Sequence, residues 1–136
     1  MFLWDLAVQR QAERIRSCDP LEDAQVDALM FVDALRNVLR GAESILGKNA
    51  SAVHEFRKSV PHAVVVRDVL EHFDEYAAGR GKHRQSGTFQ GDQRTLIHAR
   101  TLAGAYTILI GNLQLDLHSE AAASSRLLTA TRDEGL

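Results

Sequence analysis

The stretch YTILIGNLQLDL, residues 106–117, decides the fold class. Its second half alternates strictly, with Leu113, Leu115 and Leu117 set against Gln114 and Asp116. A period of two marks a strand that buries one face. Gly111-Asn112 separates this run from the apolar YTILI, and that pair fits a two-residue hairpin turn. Upstream, RTLIHAR (94–100) can add a third strand. Ala, Leu and Gly mix over residues 95–117, so a helical reading of that region stands beside the strand reading. Downstream, SEAAASSRLLTATRD (119–133) reads as a last helix.

Working back toward the N-terminus, the period becomes helical. AAGRGKHRQSGTFQGDQ carries four glycines, and residues 79–93 read as the most mobile internal loop. Before it, Pro61 suits the first turn of a helix capped by Ser59 and running to about Ala78. Val66, Val69, Leu70, Phe73 and Ala77 would form its buried stripe. NASAVHEFRKS is a further helical piece, capped by Asn49 or Ser51. A long helix should follow CDPLED, where Asp19 can cap, Pro20 fits the first helical position and Glu22 completes a capping-box spacing. Leu21, Ala24, Ala28, Phe31, Leu35, Val38, Ala42 and Ile45 recur at spacings of three and four, and Gly47 is the stop. Residues 2–16 read as a first helix with Phe2, Leu3, Leu6 and Ile15 on one side.

The expected architecture is mainly α: a helical bundle with a small antiparallel β-hairpin or three-strand meander before the last helix. One domain accounts for all 136 residues. Apolar residues make up 45% and charged residues 25%, enough to fill a core without staples. A net charge of −2 gives no bulk sign of nucleic-acid binding, so any such contact must use a local patch. Cys18 is the lone cysteine, which excludes an internal disulfide and fits a cytoplasmic setting. No His-Glu-x-x-His spacing or cysteine pair suggests a metal, and no cofactor is expected. MFLWDLAVQR has no basic start or long apolar run, so no signal peptide is read there. TLAGAYTILIGNLQLDL is interrupted by polar residues, so no membrane partner is expected.

The chemistry candidates sit in VVVRDVLEHFDEYAAGRGKHR, residues 64–84. Arg67 and His72 would lie roughly 140° apart around the helix and about 7.5 Å along it. Asp68 and Tyr76 each fall one turn from His72. A histidine can move a proton near neutral pH, and an arginine can hold a phosphate in its fork. Arg80, Lys82 and Arg84 form the dense basic patch that could meet an RNA backbone. The competing reading is a solvated helix face with Arg67–Glu71 and Asp68–His72 pairs, followed by a solvated loop.

The segment RDVLEH resembles the HEPN superfamily of all-α domains, whose motif is Arg, then Asn, Asp or His, three variable residues, and His. Arg67, Asp68 and His72 match it position by position. The resemblance implies a homodimer with facing motifs and metal-independent endoribonuclease activity on single-stranded RNA. His72 would work in acid/base transfer, Arg67 would hold the phosphate and Asp68 would orient His72. Toxin-like members imply an antitoxin or regulatory protein as a further partner. One subset has a tyrosine two residues after the histidine; here that position is Asp74. The same spacing recurs at Arg57 and His62, but with Lys58 second and Pro61 inside. The alternatives are a non-catalytic helical dimerisation or partner-binding protein, and a small-molecule sensor built on a bundle cavity.

Overall fold

The computed structural model describes residues 1–72, 80 and 97–135. Helix α1 spans Phe2–Ser17 and α2 spans Gln25–Leu46, with a 3-10 turn at Leu21–Ala24 between them. Two shorter helices follow, α3 at Ser51–Ser59 and α4 at His62–Glu71. Strands β1 (His98–Leu102), β2 (Ala105–Ile110) and β3 (Leu113–Asp116) precede the last helix, α5, at Leu117–Gly135. The fold is mainly helical, with a three-strand antiparallel sheet before the last helix.

The central helix is α2. Ala28, Phe31, Leu35, Val38 and Ala42 are buried at the expected three-and-four spacing, with Val32, Ala34 and Leu39 widening the stripe. Such a wide apolar face lets α1, α4 and α5 all pack on this one helix. Gly47 ends it with φ of 93°, a conformation that side-chain-bearing residues rarely adopt. Ile45 is exposed, because the last turn extends past the core.

Helix α1 buries a different face from the one its largest side chains suggest. Phe2 and Leu3 are 57% and 74% exposed, while Asp5, Val8, Ala12 and Ile15 are buried. The buried stripe is narrow, one residue per turn, and it packs against both α2 and α5. Asp5 enters that stripe because it is hydrogen-bonded. The Ser124 hydroxyl donates to its Oδ1 at 2.8 Å and Gln9 Nε2 donates at 3.2 Å. Gln9 Nε2 also reaches the Ala121 carbonyl on α5 at 2.9 Å.

Several expected caps are replaced by other devices. The chain after Pro20 takes the tighter 3-10 form, with Asp23 N–H on the Pro20 carbonyl at 3.1 Å, and no side chain caps it. Ala50, rather than Asn49 or Ser51, occupies the N-cap of α3 without a side-chain bond. The Ser59 hydroxyl donates back to the Glu55 carbonyl at 2.8 Å, so it does not cap α4. Helix α4 follows Pro61 as expected and buries Val66 and Val69. It ends at Glu71, where His72 leaves helical geometry at φ −116° and ψ 36°, and the expected continuation to about Ala78 lies outside the described residues. Phe73, Tyr76, Ala77 and the loop expected at 79–93, Arg80 aside, lie outside the described residues.

The sheet follows the alternation read from the sequence. Leu113 and Leu115 are buried and Gln114 is exposed. Ile110 pairs with Leu113 across the Gly111-Asn112 turn. The third strand exists but is shifted toward the C-terminus, spanning His98–Leu102, because a second two-residue turn at Ala103-Gly104 closes it. Leu117 is buried as expected, but as the first residue of α5. Asp116 makes that switch: its Oδ1 accepts the Ser119 N–H at 2.8 Å, so the last residue of the strand is also the N-cap of the helix.

Ala103 and Gly104 both have positive φ, 50° and 81°. Two-residue hairpin turns of this kind favour Asn-Gly, and an alanine there is strained by roughly 1 kcal/mol. Ala103→Asn should therefore raise stability by about 0.5–1 kcal/mol, seen as a higher Tm in thermal unfolding. An unchanged or lower Tm would contradict the turn assignment.

Candidate functional site

The motif residues gather at the C-terminal end of α4, which packs on α2 and on β3. Arg67 lies on this helix, with its side chain outside the described part. His72 is the C-cap and is exposed, and its N–H bonds the Asp68 carbonyl at 3.0 Å. That bond is the last turn of the helix, so Asp68 and His72 are joined through backbone. The Asp68 side chain turns inward, leaving the residue 7% exposed. The expectation that Asp68 and His72 would share one solvated face is thus corrected: the four-residue step places them on neighbouring turns, but α4 is rolled so that Asp68 faces inward with Val69.

Arg80 is exposed. Lys82 and Arg84, its expected companions in the basic patch, lie outside the described residues. The second Arg-x4-His pair is committed to structure. Arg57 Nη2 pairs with Glu43 Oε1 at 2.8 Å, tying α3 to α2. His62 Nδ1 lies 3.0 Å from the Gln114 carbonyl, tying α4 to β3. These bonds brace the two elements that hold the α4 motif.

Two features escaped the sequence reading. Glu120 is only 3% exposed on α5, and its Oε2 has no hydrogen-bond partner among the described residues. Burial, reinforced by the Asp116 carboxylate four residues earlier, pushes its pKa up to about 8. It is therefore mostly protonated at neutral pH. In the sequence it looked like an ordinary acid in a helix N-terminal turn; the Asp-x-x-x-Glu spacing behind a strand was the available signal. The other is a recess of about 700 Å³ between the 3-10 turn and β1, where His98 sits with a buried Nδ1 that has no hydrogen-bond partner among the described residues. A smaller recess of about 250 Å³ lies between α3 and α5.

Among the described residues, no group of three or more histidine, cysteine, aspartate or glutamate side chains is placed to hold a metal, and no helix is long and apolar enough to cross a membrane. No protein-family model, curated protein or solved structure matches this chain.

The Glu120 shift has a definite sign. Its folded pKa, about 8, lies above its ordinary 4.5, so the folded state holds the proton more tightly. That contribution is fully present below the ordinary value and is lost as pH rises through the folded one. Unfolding free energy should fall by as much as about 1.4 kcal/mol per pH unit across that window, and Glu120→Gln should flatten the slope. Urea unfolding of both chains across the window checks this. Parallel profiles would remove Glu120 as the cause.

Proposed function

We propose that this chain is a metal-independent endoribonuclease acting on single-stranded RNA, with Arg67 and His72 as its working groups. One observation carries the reading: the Arg67-Asp68…His72 spacing ends on an exposed histidine at the terminus of a helix held by α2 and β3. A solvent-facing imidazole on a braced helix end can meet a backbone phosphate without the core opening. His72 accepts the proton of the 2′-hydroxyl, whose oxygen attacks the adjacent phosphorus. The 5′-oxygen leaves and takes a proton, giving a 2′,3′-cyclic phosphate and a free 5′-hydroxyl. Arg67 holds the phosphate and offsets charge that builds on its oxygens. Asp68, being buried, acts through the helix: it anchors the turn that carries His72. Arg80 extends positive charge beyond this end of the helix, and Lys82 and Arg84 belong to the same proposed RNA contact.

Arg67 and His72 are separated by about 7.5 Å along one helix axis. A second copy of the motif facing the first would supply both groups to one phosphate, so the reading includes a homodimer. A regulatory protein covering the same face would act as an antitoxin.

The burial of Asp68 favours a second reading, in which the motif is structural and the chain is a non-catalytic dimerisation or partner-binding protein. Cleavage assays separate the two. The purified chain should cut single-stranded RNA in EDTA and leave cyclic phosphate ends. His72→Ala and Arg67→Ala should each lower the rate by at least ~100-fold at unchanged Tm. Arg57→Ala and His62→Ala should instead lower Tm, because they break the Glu43 and Gln114 bonds, and leave the rate per folded molecule near normal. Full activity in a well-folded His72→Ala chain would sink the catalytic reading.

A further inference from the structure

The face of α2 that turns away from the bundle carries apolar side chains that the core does not use. Val26, Leu29 and Met30 are all exposed, Val26 at 71%. A single apolar residue on a surface is ordinary, but positions i, i+3 and i+4 of a helix join into one patch. The patch opens a longer seam. Val26, Met30, Asp33, Asn37, Arg40 and Ser44 step along α2 by four and three, the spacing with which one helix meets another. With Leu29 and Arg36 they fall within an arc of about 120°, opposite the buried stripe.

Helix α1 lies antiparallel beside α2. Arg14 pairs with Asp27 at 2.8 Å at one end, and the Met1 side chain lies over Gly41 at the other. At that second end Leu3 and Ile45 are exposed. The α1–α2 layer is therefore apolar toward both ends. Its middle is polar, where Arg36 Nη2 pairs with Asp33 Oδ1 at 2.7 Å.

The charge pattern chooses the occupant. Glu22 and Asp23 precede the apolar patch, and Arg40 and Lys48 follow it; all four are exposed. A row that runs from acid to base complements itself when reversed. Two copies of α2 laid antiparallel about the position of Leu35 set Val26 opposite Ser44, Met30 opposite Arg40 and Asp33 opposite Asn37. Glu22 then comes toward Lys48 of the second copy, and Asp33 toward its Arg36. The Arg40 stem can cover Met30 while its head stays in water. Parallel pairing would instead set Glu22 on Glu22 and Arg40 on Arg40. One two-fold axis makes both halves of the antiparallel contact at once.

The surface is also large enough. Helix α2 has 22 residues and is about 33 Å long. With α1 beside it at about 10 Å, the layer offers on the order of 600 Å² per copy, the lower limit for a stable dimer.

We propose that the outer face of α2 is the contact surface of a homodimer, in which two copies pack antiparallel with Val26, Leu29 and Met30 of each against the last turns of α2 of the other. This goes beyond the cleavage reading, which asks for two facing motifs and names no surface. It rests on α2 alone, and a chain inactive on RNA would form the same dimer.

Sedimentation velocity over a concentration series tests this. The chain should be dimeric at about 100 μM and dissociate on dilution, with a Kd in the micromolar range. Met30→Lys sets a cation against Arg40 of the second copy and should weaken the dimer at least about tenfold at unchanged Tm. Adding Arg40→Glu turns that clash into an attraction and should recover most of the loss. Should Met30→Lys lower Tm, Val26→Lys, at the most exposed position of the patch, decides in its place. His72→Ala should leave the dimer intact, so that loss of cleavage and loss of the dimer are read separately. A monomer at every concentration would overturn the proposal, as would a dimer indifferent to both lysine variants, whose contact would lie elsewhere. Loss in Met30→Lys without recovery by Arg40→Glu would overturn the antiparallel register.

Discussion

The Asp5 carboxylate, buried between the first and last helices, is the constraint on which the bundle depends. Ser124 and Gln9 both donate to it, and Gln9 also bonds the Ala121 carbonyl. A buried carboxylate without donors would cost several kcal/mol, so α1 and α5 can approach only in the register that supplies them. That register fixes where α5 begins. Because α5 starts directly at the end of β3, it also fixes the sheet against the helices. The hydrophobic stripe of α2 provides the bulk of the burial, but apolar contact is non-directional and would tolerate sliding. Hydrogen bonds to one carboxylate would not.

The proposed RNA-cleaving site sits at one side of this frame. Helix α4 is held by its contacts with α2 and β3 and by the His62–Gln114 bond, so its C-terminal residue is placed by both elements. At the other side, β1 is held by β2, the 3-10 turn and α2.

Within each element, local chemistry was decisive enough to read. The period-two leucines Leu113 and Leu115, the glycine turn before them and the three-and-four spacing along α2 became the elements they implied. Gly47 ended α2 because few other residues tolerate its φ. The misreadings share a cause. Spacing puts Phe2 and Leu3 on one side with Ile15, yet the face of α1 that meets α2 and α5 is the one carrying Asp5, Val8, Ala12 and Ile15. Asp68 reads as one partner of a solvated pair with His72 because nothing in a single helix reveals which way it is rolled. The caps at Ser51 and Ser59 failed because short helices between packed neighbours are held by tertiary contacts and need no side-chain cap.

The sequence by itself determined the order and type of most elements and the spacing of the candidate motif at Arg67, Asp68 and His72, because periodicity, turn residues and spacing act over a few positions along the chain. Only the tertiary structure decided which face of each helix is inside. It turned Asp68 into the core while leaving His72 in solvent, and it buried Glu120 until its proton stays on at neutral pH. Those outcomes depend on residues far apart in the chain meeting in one register, and no window of sequence contains both partners of such a meeting.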